Sequence, residues 1–287
     1  MLKADHKRAA KPVAVTALAI LATISFVAPA RAGNGANFVT YDHHTEDKGV
    51  TEISVLNDLS RTAGDGERYN AQLLEIEHAL TDQWIVAAYL ESHKENGEDW
   101  SFDGFRLETR YRLFDYGTPF NPVVYLEYIN KKEGALYLRE VTGRVGEEGG
   151  EEEDENKREN ELETKLILGH DVSDKLRLGL DGIAEVNLKT GDWAFGYATG
   201  LTYTMFEVEN RKGWDVKEVK LGAELFGGLG DSVEGLTLDG SETVHYAGLN
   251  LKTEFANGAQ VMFGAALGLT SNSEDFLFRS KLSWEFE

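Results

Sequence analysis

The sequence predicts an all-β protein, a single antiparallel transmembrane β-barrel of about twelve strands with short turns at one end and longer loops at the other. Three observations carry this. Apolar and polar residues alternate at period two through stretch after stretch, the links between these stretches differ in length by turns, and the chain opens with the parts of an export signal.

Lys3, Lys7, Arg8 and Lys11 precede an almost uncharged run from Pro12 to Val27, and Ala30-Arg31-Ala32 closes it. A basic start, a short apolar centre and a small-residue ending make residues 1–32 an expected signal peptide, removed on export so that the mature chain begins at Gly33. A single anchoring helix is the competing reading, for which the apolar run is short. Removing the signal leaves about 255 residues, enough for one large domain, and moves the formal charge from -21 to about -25. So acidic a chain is not expected to bind nucleic acid or anionic lipid through a basic patch. The absence of cysteine excludes a small disulfide-stapled fold. No later stretch has eighteen consecutive apolar residues, so a membrane-embedded chain must cross as a closed barrel, in which every backbone polar group is paired.

Residues 33–50 show little periodicity and are expected as a periplasmic leader; the barrel is expected over 51–287. In the first strand Ile53, Val55 and Leu59 alternate with Glu52, Ser54 and Asp58. The second ends at Leu80 and has a blurred phase, with Leu73 beside Leu74; the third carries Trp84, Val86, Ala88 and Leu90. The fourth sets Phe105, Leu107, Thr109, Tyr111 and Leu113 against Arg106, Glu108, Arg110 and Arg112, and the fifth sets Val124, Leu126 and Tyr128 against Tyr125 and Glu127. A long connection, 130–160, follows as an expected acidic extracellular loop; Glu147 to Glu155 has almost nothing apolar to bury.

Alternation resumes with Leu162, Thr164, Leu166 and Leu168 against Glu161, Glu163 and Lys165, then with Leu176 to Val186 against Arg177, Asp181 and Glu185. The eighth strand puts Trp193, Phe195, Tyr197, Leu201 and Tyr203 on one face and only small residues, Ala194 to Gly200, on the other, which leaves room inside. The ninth opposes Leu221 and Leu225 to Lys220 and Glu224; the tenth opposes Leu249 and Leu251 to Asn250, Lys252 and Glu254. Ala256-Asn-Gly-Ala259 marks a tight hairpin into the eleventh, Val261 to Leu269. The last strand is aromatic on one face (Phe276, Phe278, Trp284, Phe286) and charged on the other (Arg279, Lys281, Glu285), and is expected to close the barrel against the first, with Arg279 and Lys281 near Glu52 or Asp58.

Odd-numbered links, such as 92–101, 130–160 and 228–242, are longer and more polar than most even-numbered ones, such as Thr81-Asp82, 171–174 and 256–259, although 206–215 breaks the trend. A soluble β-sandwich explains alternation but not this asymmetry. An even strand count with both ends in the periplasm does explain it, and Trp84, Trp193, Tyr203 and Trp284 at strand ends suit interfacial girdles.

In its signal peptide, its hairpin Phe255-Ala-Asn-Gly-Ala-Gln-Val261 and its terminal Leu282-Ser-Trp-Glu-Phe286, the chain resembles bacterial outer-membrane β-barrels of the porin or small-channel type, including those labelled transporters. The resemblance covers the mature chain as architecture rather than as a specific motif. It implies the outer membrane of a Gram-negative bacterium, with membrane lipids and lipopolysaccharide around the wall and the barrel-assembly machinery as a partner. In that class the final residue is usually aromatic; here Glu287 follows Phe286.

The candidate pore-lining set is Arg106, Glu108, Arg110, Arg112, Glu127, Lys165, Arg177, Asp181, Glu185, Lys220, Glu224, Lys252, Arg279, Lys281 and Glu285. Two readings stand: rows of charge that select small hydrophilic solutes in a narrow pore, or charges that pair across the lumen and fill it. The acidic loop could gather divalent cations such as Ca²⁺, though it lacks the spacing of a preformed calcium loop. His43 and His44, beside Asp42, Glu46 and Asp47, form a candidate Cu²⁺ or Zn²⁺ site, against which stands the opposite pointing of adjacent side chains in extended chain. His78, His170 and His245 have no serine partner at recognisable spacing and Gly-x-Ser-x-Gly does not occur, so no enzyme activity and no cofactor are expected. The expected function is passive passage of small hydrophilic solutes. The alternative is a non-conducting barrel that binds a ligand, metal or partner through its loops.

Overall fold

The computed structural model describes residues 35–61, 68–95, 97–132, 141–144 and 157–286; the expected signal peptide and the acidic stretch Glu147 to Glu155 lie outside them. Twelve long strands build the wall: β1 (Thr51–Arg61), β2 (Arg68–Thr81), β3 (Trp84–Glu95), β4 (Ser101–Arg112), β5 (Asn121–Lys132), β6 (Arg158–Ser173), β7 (Leu176–Asn187), β8 (Trp193–Glu207), β9 (Val216–Asp231), β11 (His245–Phe255), β12 (Ala259–Gly268) and β13 (Phe276–Phe286). A two-residue strand, β10 (Gly235–Leu236), folds back on the end of β9. Each wall strand pairs antiparallel with its neighbours, and β13 returns to β1 with Thr51 opposite Phe286 and Asp58 opposite Arg279, so the sheet closes without an edge.

The alternation in the sequence is inverted relative to a soluble protein. Leu107, Leu166, Leu249, Leu267 and Leu282 point outward and stay 52–71% exposed, while the charged residues between them are buried. A continuous apolar outer surface of this kind has lipid as its natural solvent. Trp84, Tyr203, Trp214 and Trp284 stand near the end that carries both termini of the barrel, and Trp214 packs edge-on against Trp284 at 5.7 Å, as an aromatic girdle requires. The turns at this end, expected to be periplasmic, are mostly short; at Ala256-Asn-Gly258 the glycine takes φ +85°, which the expected Asn-Gly hairpin needs. At the opposite end β3 runs to Glu95 and β4 starts at Ser101, so the strands continue beyond the bilayer pattern visible in sequence.

Residues 35–46 of the stretch expected as a leader outside the barrel are threaded into it: Ala36, Val39, His43 and Thr45 are no more than 3% exposed. The physical reason is size. Eight strands make a barrel that side chains alone can fill; twelve leave a wider interior, which either holds water or takes in more chain.

Candidate functional site

The lumen is the candidate site, and its wall supplies charge. Arg106, Glu108, Arg110, Arg112, Glu127, Lys165, Asp181, Lys220, Glu224, Lys252 and Arg279 are buried inside the barrel, and Arg177, Glu185, Lys281 and Glu285 are half-buried. Most of the basic groups are paired. Arg106 Nε meets Glu91 at 2.6 Å and its Nη1 meets Glu127 at 3.2 Å; Arg110 holds Glu108 at 2.7 Å and also Glu77. Lys220 lies 2.8 Å from Glu218 and 3.0 Å from Glu254, which Lys252 approaches at 3.1 Å. At the seam Arg279 is 3.0 Å from Asp58, and Lys281 is 2.8 Å from Glu52 and 2.9 Å from Glu75.

These pairs run along the wall, within one strand or between strands one or two apart, rather than across the lumen. Sequence reasoning left Glu75, Glu77, Glu91, Asp103, Glu161, Glu163 and Glu218 out of the candidate set, although all are buried. The outward phase of Leu74 and Ile76 was the available signal for Glu75 and Glu77. Among the described residues, fourteen buried carboxylates face seven buried Arg and Lys side chains, so the interior is acidic.

The small inner face of β7 to β9 receives the N-terminal segment. A methyl group on Gly179 would collide with the Tyr41 carbonyl, one on Gly200 with the Asn37 side chain, and one on Gly222 with the Ala36 carbonyl. The backbone of the segment cannot pair as a strand, so its N–H groups find side-chain acceptors. Glu224 accepts from Phe38 (3.2 Å), Val39 (2.9 Å) and Thr40 (3.2 Å); Asp181 accepts from Tyr41 at 2.7 Å; Thr202 Oγ1 accepts from Ala36 at 3.0 Å. Nearer the mouth with the short turns, Thr45 Oγ1 donates to the Asp82 carbonyl at 2.7 Å and Lys48 N–H donates to the Asp82 carboxylate at 2.9 Å. Asp42 pairs with Arg177 at 3.3 Å. Burial alone would raise its carboxyl, but Arg177, the two histidine rings and the His44 N–H together hold it below the ordinary carboxylate value.

From the other mouth residues 141–144, between β5 and β6, also lie inside the barrel. Gly143 donates to the Phe195 carbonyl at 2.9 Å and bridges to Gly230, while Arg144 lies 3.1 Å from Asp231. The two intruding segments meet at mid-lumen, where Val39 and Val141 pack with Ala198, Phe226, Tyr246, Ala266 and Leu277, flanked by Phe38 and Val244. This apolar cluster fills the lumen on the β8 to β13 side. Beside it, between the segment and the β1–β2–β13 side, remains a cavity of about 70 Å³ lined by Glu52, Glu75, Glu77, Arg110, Lys252 and Lys281, room for a few waters.

The structure also brings together His43 and His44, which extended-chain geometry had set apart. Both Nε2 atoms reach the Asp171 carboxylate, at 3.2 Å and 3.0 Å. Of the histidines considered for catalysis, His78 Nδ1 hydrogen-bonds Thr51 Oγ1 at 2.9 Å, His170 stacks on Phe120 at 4.9 Å, and His245 hydrogen-bonds both Thr243 and Tyr197.

These features define a twelve-stranded membrane β-barrel with an acidic lumen partly filled by the chain's own N-terminal segment. No protein-family model matches the chain, and no curated protein matches it in sequence. Among solved structures it is similar to an outer-membrane channel from Pseudomonas putida F1, with TM-score 0.50, 14% identity, and 85% of this chain and 98% of that one covered. It is also similar to the KdgM porin in complex with disordered oligogalacturonate, with TM-score 0.50, 10% identity, and 82% of this chain and 99% of that one covered. At these identities the likeness establishes the fold: the chain has the β-barrel fold of outer-membrane channels and porins.

Proposed function

We propose that the protein is an outer-membrane channel for small hydrophilic solutes, closed in the state described and opened when the N-terminal segment leaves the lumen. One observation carries the reading. The wall is complete without the segment, its ladder closed and most of its basic groups paired on neighbouring strands, whereas the segment is held by hydrogen bonds, ion pairs and packing inside a barrel too wide for side chains to fill. Withdrawal of residues 35–46 would leave a water-lined conduit past residues 141–144, which stay bonded to the β8–β9 wall. The two-to-one excess of buried carboxylates favours neutral and cationic solutes over polyanions of the kind named with the KdgM porin. No catalytic role is part of this reading, and the outer membrane is its location.

The apolar cluster inside the lumen favours a second reading, a barrel that never conducts and acts through its loops. Planar-bilayer recording separates the two. A chain starting at Val50 is expected to show stable step conductance with cation selectivity, and the chain starting at Gly33 to be mostly closed. A silent barrel in both cases, with β content intact by circular dichroism, overturns the channel reading.

A further inference from the structure

We propose that His43, His44 and Asp171 form a binding site for a borderline divalent transition-metal ion, Zn²⁺ or Cu²⁺, at the periplasmic mouth. The ion's use, fastening the segment shut, rests on the channel reading above; its binding does not.

Adjacent side chains diverge in extended backbone. Here the chain bends at His43, and Asp42 Oδ1 accepts the His44 N–H at 2.8 Å, an Asx turn that swings the second imidazole to the side of the first. The ring centroids come to 4.6 Å, and Tyr116 backs both rings at 5.9 and 5.1 Å. Arg112 stacks over Tyr116 at 3.7 Å and fixes it in turn. The third ligand comes from β6. Gly169 and Asp171 share a face at period two; a side chain at 169 would collide with the His43 backbone and ring, so the glycine lets His43 lie against the strand while Asp171 meets its far nitrogen.

The distances fit an ion. Ligand atoms about 2.0–2.1 Å from a tetrahedral Zn²⁺ stand roughly 3.3 Å from one another. The two nitrogen–oxygen separations are 3.0 and 3.2 Å, each to a different oxygen of Asp171, and one ligand atom from each of the three residues lies within 4.8 Å of the others, so small side-chain rotations bring the set to that spacing. Two imidazoles with one carboxylate select Zn²⁺ or Cu²⁺ over Ca²⁺ and Mg²⁺, which prefer oxygen. His43 is buried, but Asp171 is 37% exposed, so a remaining coordination position opens to solvent and gives the ion an entry path. Two ligands belong to the segment and one to the wall, so a bound ion ties them together.

The test is calorimetric titration of the purified barrel with Zn²⁺, in excess Ca²⁺ to occupy acidic clusters. One saturable site per chain is expected. Asp171→Asn and His44→Ala should each weaken it at least about 100-fold, while Asp174→Asn, an exposed carboxylate of the β6–β7 turn, leaves it unchanged. Heat-modifiable gel mobility establishes that each variant is folded, and the visible bands of Co²⁺ should report nitrogen ligation in wild type and lose intensity in both variants. No saturable site in wild type, or undiminished binding in both variants, overturns the proposal. In bilayers, Zn²⁺ at 100 times its Kd should lower the open probability of the chain starting at Gly33 by up to about 100-fold, and leave the chain starting at Val50 unaffected. Binding without that effect removes the fastening role alone. A Val50 chain that never conducts removes the channel reading and leaves the site standing.

Discussion

Replacing Glu224 by Gln should loosen the segment while sparing the wall. One carboxylate accepts three consecutive N–H groups, from Phe38, Val39 and Thr40, and also the Asn250 side chain at 2.9 Å. Glutamine keeps a single carbonyl acceptor. Its amide nitrogen takes the place of the oxygen that Val39 and Thr40 share, so two charge-assisted bonds are lost and donors face donors. At about 1.5–3 kcal/mol each, the loss is about 3–6 kcal/mol. Relaxation of the segment brings the lower end into play, and about 3 kcal/mol is roughly a 100-fold shift of the docking equilibrium. Single-channel recording of the chain starting at Gly33 reads this as a rise in open probability. Glu218→Gln is the control, because Glu218 is also buried but is bonded to Lys220 on the wall. If Glu224→Gln opens no more often than wild type, or Glu218→Gln opens equally often, the reasoning fails.

Other changes probe the same arrangement from different sides. Gly179→Ala with Gly222→Ala places methyl groups against the Tyr41 and Ala36 carbonyls, so the double variant should retain its β spectrum and open at least about 10-fold more often, and susceptibility of the 35–46 stretch to proteolysis should rise with it. Arg106→Met leaves Glu91 and Glu127 buried without their shared partner and should cost about 3–5 kcal/mol in urea unfolding from lipid vesicles. Leu249→Arg puts a charge on an outward position that is 71% exposed and should cost about 2–4 kcal/mol in the same assay if that face meets the bilayer core. A cost near zero would place that face in water.

Residues with strictly local reasons for their position were legible in sequence. In β4 the Arg106, Arg110 and Arg112 row is fixed by alternation alone, and in β13 Arg279 and Lys281 reach Asp58 and Glu52 because strand closure leaves them nowhere else to point. The phase of β2 was blurred because Leu73 faces an inner apolar contact with Ala87 and Tyr89 while Leu74 faces out, so two adjacent leucines serve opposite sides of the wall. The segment at residues 35–49 could not be read at all. Its order comes from contacts such as Phe38 to Glu224, 186 positions away, and leaves no period in the sequence. The nearest hint was the run of small residues on β8. It signalled room, and room inside a twelve-stranded barrel does not by itself say whether water or chain occupies it. The convergence of His43 and His44 was hidden for a related reason: it depends on a bend stabilised by the preceding aspartate, where extended geometry was the natural assumption.

The most direct test of the occluded channel uses the absence of cysteine in the chain. A Cβ at Gly35 would lie 3.0 Å from Thr202 Oγ1, close to the roughly 3 Å between one Cβ and the opposite sulfur in a disulfide, so Gly35→Cys with Thr202→Cys should lock the segment to β8. Bilayer recording before and after reduction then compares the same barrels. The account predicts silence when the pair is oxidised and step conductance after dithiothreitol. Equal conductance in both states would show that ions pass without displacing the segment, and would contradict it.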